Sequence, residues 1–485
     1  MSSMDSGGSV QTNFRFEMRL TMKHMFWIGS VWLTGLRLAL GVPGAELKPV
    51  VEIEEDVYTY TNANNGSGPM WCHGSTSLVR VGKRVFASGL ELIPGVKPMN
   101  NCRLMLFERN ASGWKRVWVD TECRTREPSP LAAFRNDRVF VSTNPSLGPG
   151  DETNGYPARP DLLEFKAGDA TAAPKLLGPV WQGNPKFNAW SYRSLAADGP
   201  AGELILFQNV DFSHAEWAFR DHHGTWSAQG QLKWPWGAEY DPPVPVRVCY
   251  PNVAICRRAV YFCGVSDIVE PNKAWREYKH KLTGQEWDYA FRRLFYTWTP
   301  DITRKPFVAW TEIASCDKTG GGINPGDLYV ANNGNAHVVW NEQAIDERLK
   351  ASFFPEAKQR YSLNYAILRD GRVIQRKTIE ESTADHPGII GSGAHFQITP
   401  EHRLFLTYYA SGTSADGKAV AENRVQEILR DGSMTPPVRL PLRKPFVQYF
   451  TATGRGGSSP SRTLDMLGSC QGGGNSISYA RIRLY

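Results

Sequence analysis

Trp71-Cys-His-Gly-Ser-Thr-Ser-Leu-Val-Arg-Val-Gly-Lys-Arg-Val-Phe-Ala-Ser-Gly-Leu-Glu91 decides the fold. Ser75 to Val81 alternates small or polar with apolar residues, Gly82-Lys83 is a tight-turn pair, and Arg84 to Ser88 resumes the alternation. That is the pattern of a β-hairpin. The same grammar returns with little identity at Ser129–Ser142, Tyr250–Cys263, Asp327–Trp340 and His395–Tyr408. One hairpin cannot bury its apolar face alone, but repeated copies packed face to face around an axis can. The expected fold is all-β, a β-propeller of seven blades, or six if the last segment merges with its neighbour.

Composition supports many short strands. Aromatic residues make up 12% of the 485 positions, and 45 Gly and 32 Pro supply turns. The net charge of +7 is mild for this length, and no Lys/Arg-rich block of the nucleic-acid-binding kind is present. Eight cysteines without a CxxC spacing argue against a zinc ribbon. Disulfides and buried free thiols both remain open for them.

Residues 1–45 read as a leader. Lys23 and His24 precede an apolar run from Phe26 to Leu33, and small residues follow near Gly44-Ala45. Met22 is the alternative first residue if the start codon is misassigned. The run is too short and interrupted to span a membrane well. A secreted or periplasmic protein without stable membrane insertion is expected, with the propeller over 46–485.

Val50 to Tyr60 alternates apolar and acidic residues, and such an N-terminal strand closes a propeller by joining its last blade. Blades follow from His73, Ser129, Trp190, Arg247, Asp327, Gly391 and Phe446. The fourth carries an insertion, 269–290, rich in charge and Trp, that is read as partly helical and as a substrate clamp or a solvated excursion. The fifth carries a helical excursion over Asn341–Ser352.

Inner strands of a propeller line its axis, and their starts converge on one mouth. Reading that position blade by blade selects His73, Arg193, Tyr250 with Arg247 just before it, and His395. Arg462 is the seventh-blade member, and His214 follows a strand that turns near the same mouth. His and Tyr move protons, and Arg pairs bidentately with carboxylate or sulfate. The set suits an anionic substrate. No HExxH, EF-hand loop, P-loop or GxSxG elbow appears, so neither a metal nor a cofactor is expected.

His73 followed by Gly82-Lys-Arg-Val-Phe-Ala-Ser-Gly resembles the opening of BNR-repeat proteins, a sialidase-like propeller superfamily that includes propeller lyases acting on ulvan. His73 and Tyr250-Pro251 match the first His and the Tyr-Pro pair of those lyases. The positions of the second His and of the Arg are filled here by Glu91 and Ser266. The sialidase Asp-box is absent. The resemblance implies a polysaccharide lyase cleaving a uronate-containing polysaccharide by β-elimination, and a monomer is expected. Arg193 or Arg247 would neutralise the uronate, and Tyr250 and His73 would share the base and acid roles. A sialidase-like glycoside hydrolase would instead need paired carboxylates, for which Glu91, Asp267 and Asp327 are the candidates. A binding propeller without catalysis is the third reading.

Overall fold

The computed structural model describes residues 46–71, 74–149, 156–190, 192–285 and 288–485. The leader reading of 1–45 and the role of His73 lie outside the described residues. Seven four-stranded antiparallel sheets form seven blades. Their inner strands are Leu78–Val81, Leu131–Phe134, Arg193–Asp198, Val248–Cys256, Gly320–Val330, Ile389–Ile398 and Phe446–Thr451, for blades 1 to 7. Each inner strand contacts the next, and blade 7 contacts blade 1, so the ring is closed.

The strand sequences explain the stacking. Side chains alternate between the two faces of a blade, so a strand apolar on both faces packs against both neighbours. Seven separate apolar clusters result, one between each adjacent pair of blades. Between blades 4 and 5, Trp340 is fully buried against Tyr296 and Leu294. Between blades 2 and 3, Phe134 and Phe140 meet edge to face at 4.6 Å. The quoted hairpin forms as Leu78–Val81 and Arg84–Leu92, with Gly82 at φ +57° in the turn.

The closure expected from Val50–Tyr60 is present. Val50–Thr59 is the outer strand of blade 7 and pairs antiparallel with Ser476–Arg483, Glu54 opposite Ala480. The first and last strands of the described residues thus share one sheet.

Three boundaries differ from expectation. The inner strand of blade 5 begins at Gly320, ahead of Asp327, because Gly320-Gly-Gly322 continues the extended chain without side chains to mark it. Asn341 stays in a strand that runs to Ile345, and helix α2 occupies only Glu347–Phe353, started by the Asp346 side chain accepting from the Arg348 N–H. In blade 6, Ala419–Ile428 is the third strand, and Val438–Arg439 is the outer one.

The blade 4 insertion contains helix α1, Lys273–Thr283, capped by Asn272 at its start and by Gly284 at φ +68° at its end. Lys279 is buried and bonds Glu270 at 2.7 Å and Asp288. Trp275 packs edge-on against Phe354, and Tyr278 against Phe353. The insertion is therefore seated on blade 5, as a fixed wall beside the mouth.

Candidate functional site

Inner strands run from the mouth toward the far end of the axis. The far end is closed by the loop after the inner strand of blade 7, Thr453-Gly-Arg-Gly-Gly457. This loop crosses to the opposite blades: Ala133 N–H donates to Gly456 O at 2.8 Å, and Ala197 N–H to Arg455 O at 2.8 Å. Gly457 has φ +81°, and a Cβ there would sit 2.0 Å from Ala133 O, so only glycine fits this approach.

Arg455 projects from the loop into the axis. Its Nε and Nη2 both donate to Asp327 Oδ1, at 2.9 and 2.6 Å, and Nη1 donates to Gly74 O at 2.8 Å. Asp327 also accepts from the Leu328 N–H at 2.8 Å and the Phe396 N–H at 2.9 Å. Burial alone would raise this carboxyl. The Arg455 charge, the bond from His395 and the Phe396 N–H outweigh it and hold the pKa at about 2.

His395 stands above this pair. Its Nε2–H donates to Tyr449 O at 2.8 Å, which turns Nδ1 toward Asp327 at 3.7 Å. Above His395 opens a cavity of about 670 Å³, walled by blades 4 to 7. Asn324, Asn341, Gln343, Ser362, Ser392 and Gln448 supply amides and hydroxyls, while Tyr250, Phe291 and Tyr361 supply rings. Glu342 also reaches this wall. It accepts from Trp340 Nε1–H at 2.8 Å, from Arg376 at 3.0 Å and from Arg360 at 3.2 Å.

Tyr250 lies in a bulge of the blade 4 inner strand, with φ +49°, where the register slips between Cys249 and Asn252. Its ring meets Tyr192 at 4.8 Å and Phe291 at 5.9 Å. Burial raises the pKa of its hydroxyl, reinforced by Cys249 and Asp267, so the group keeps its proton at neutral pH.

The structure thus brings Tyr250 and His395 to one cavity. Among the described residues, the other sequence candidates are placed elsewhere. Arg193 is buried and donates to Pro128 O at 2.9 Å, within 4.0 Å of Glu127. Arg247 bonds Asp267 at 2.6 Å and lies 3.8 Å from the Phe212 ring. Neither is in the cavity lining. His214 bonds Glu216 at 2.9 Å on the third strand of blade 3. Arg462 precedes the second strand of blade 7, Thr463–Cys470, which starts at the far end of the axis because it runs antiparallel to the inner strand. There it pairs with Glu401 on the surface, so blade 7 contributes Arg455 to the axis instead. Glu91, nominated as a carboxylate, bonds Arg103 and Arg116 away from this cavity. The cysteines among the described residues are unbridged.

Sequence reasoning missed Arg455 and the loop that carries it. The available signal was a lone Arg inside Gly454-Arg-Gly-Gly457, a glycine run flanking one charge after an inner strand.

No family model and no curated relative match the chain. Solved structures align with it at low identity. An α-L-arabinanase from Penicillium chrysogenum, determined with arabinobiose, is 10% identical over 90% of this chain and 99% of its own, with a TM-score of 0.43. A protein of unknown function from Dyadobacter fermentans is 9% identical over 92% and 100%, also at 0.43. The β-propeller domain of the Trilobed protease from Pyrococcus furiosus is 8% identical over 81% and 90%, at 0.38.

Proposed function

We propose that the protein is a carbohydrate-active propeller that takes the end of a glycan chain into the axial cavity. The lining carries this reading. Neutral amides and hydroxyls that both donate and accept sit beside aromatic faces, which suits sugar hydroxyls and the C–H faces of sugar rings. The leader-like N-terminus supports an exported protein.

Tyr250 is the proton donor to the leaving glycosidic oxygen, a role that fits its place in the cavity lining and the proton its hydroxyl carries. Hydrolysis of a neutral glycan is the preferred reaction. The guanidiniums of Arg193 and Arg247, which a uronate would need, are engaged outside the lining, and the Glu342 carboxylate in the wall is itself held by Arg360 and Arg376. The β-elimination of a uronate glycan, implied by the resemblance to ulvan lyases, is the second reading. Tyr250 would serve as the acid in that reaction as well.

The test incubates purified protein with neutral and uronate polysaccharides, arabinan included. Reducing ends released without ultraviolet-absorbing unsaturated products support hydrolysis. Reducing ends with such products support elimination. Neither, with no saturable binding of any oligosaccharide, overturns the proposal. Tyr250→Phe is expected to lower turnover about 10²–10⁴-fold while the fold is kept; undiminished turnover removes Tyr250 from the acid role.

A further inference from the structure

On the blade 3 and blade 4 side of the mouth, aromatic rings form a chain in successive contact. Phe212, at the tip of the second hairpin of blade 3, is 44% exposed. It lies parallel to Tyr289 of the insertion, 6° between planes and 6.4 Å between centroids. Tyr289 meets Phe291 at 6.4 Å, and Phe291 meets Tyr250 at 5.9 Å inside the cavity lining. Exposed Phe212 and half-buried Tyr250 are thus the ends of one continuous track.

The track is rigidly backed. The Arg247 guanidinium lies 3.8 Å from the Phe212 ring, 5.5 Å from Tyr192 and 5.7 Å from Tyr289. Asp267 fixes that guanidinium at 2.6 Å and neutralises it. Tyr289 pairs into the short ladder Ile268–Val269 with Tyr289–Ala290, whose helix α1 is anchored by buried Lys279. An exposed aromatic that is held in place, neutral in its surroundings and continuous with a polar cavity is a binding surface prepared before ligand arrives.

We infer that this track is an extended subsite for a glycan chain, on which sugar rings beyond the one in the axial cavity stack along Phe212, Tyr289 and Phe291. This rests on the glycan reading of the cavity and adds to it a specificity: the protein prefers polymers to short oligosaccharides. The charge-neutral backing selects for ring faces over anionic substituents.

The experiment compares wild type with Phe212→Ala and, as a control, Trp236→Ala, at an exposed aromatic 61% accessible elsewhere on blade 3's flank. Dissociation constants are measured by calorimetry for disaccharides and for hexasaccharides of the best glycan from the panel. Wild type is expected to bind the hexasaccharide more tightly. Phe212→Ala should weaken that binding on the order of tenfold and leave the disaccharide unchanged, with Trp236→Ala neutral for both. Disaccharide binding with no gain from length, or a length gain that survives Phe212→Ala, overturns the track while the cavity reading stands. No binding of either length by wild type overturns both.

Discussion

Two buried Arg–Asp pairs flank the axis, and they differ in what surrounds the carboxylate. Asp327 takes two bonds from Arg455, two from backbone N–H groups and the field of His395. Asp267 takes Arg247 Nη2, while Arg247 Nε turns to the Asp267 carbonyl at 3.2 Å. Burial pushes both carboxyls up. The donors around Asp327 overcome that push, whereas Arg247 and the Tyr192 bond around Asp267 do not, and its pKa stays raised. The lesson is that a buried ion pair is decided by the count and aim of its hydrogen bonds, not by the pairing of charges alone. The first pair pins the loop that floors the cavity. The second pair backs an exposed aromatic ledge. Asp327 is therefore an anchor rather than a catalytic carboxylate.

The comparison breaks most visibly at Asp327. Asp327→Asn leaves Arg455 charged in the axis, and is expected to cost about 3–5 kcal/mol, read as a fall in Tm by calorimetry. Asp267→Asn should cost less, about 1–2 kcal/mol, because the Phe212 and Tyr192 rings still contact the Arg247 guanidinium. Equal losses would erase the distinction.

Acid sharpens it. With its folded pKa near 2 against an ordinary 3.8, Asp327 contributes stability that is complete above 3.8 and lost as pH falls toward 2. Asp267, raised in the fold, has the opposite sign: its contribution is present at low pH and lost as pH rises through its folded value. Wild type should therefore lose stability between about pH 4 and 2 more steeply than Asp327→Asn, whereas Asp267→Asn should keep the steep acid limb.

The smallest effect is expected at Arg462. It pairs with Glu401 on the surface, outside the cavity lining, and Arg462→Ala should leave oligosaccharide affinity unchanged. A measurable loss would return it to the substrate site.

Much of the fold was legible because strand alternation and turn residues are local. The quoted hairpin, the seven blades, the helix within 269–290 and the closing strand all follow from neighbours in sequence. The site was legible only in part. Choosing strand starts brought Tyr250 and His395 to the cavity, but strand side chains alternate, so Arg193 turns into a packed interface, and Arg247, just before its strand, is held by Asp267 beneath Phe212. Arg455 escaped because it sits on a loop, and its partners Asp327 and Gly74 are distant in the chain. The aromatic track was hidden for the same reason: Phe212, Tyr289 and Tyr250 come from different hairpins that only the ring of blades brings together.

The most direct measurement fills the cavity. Ser392 lies in its wall, and Ser392→Tyr puts a ring where the first sugar is expected. Circular dichroism would establish that the variant keeps the propeller, and calorimetric titration with the oligosaccharide that wild type binds would follow. Loss of binding in the folded variant is the predicted result. Binding of wild-type strength would contradict the axial cavity as the glycan site.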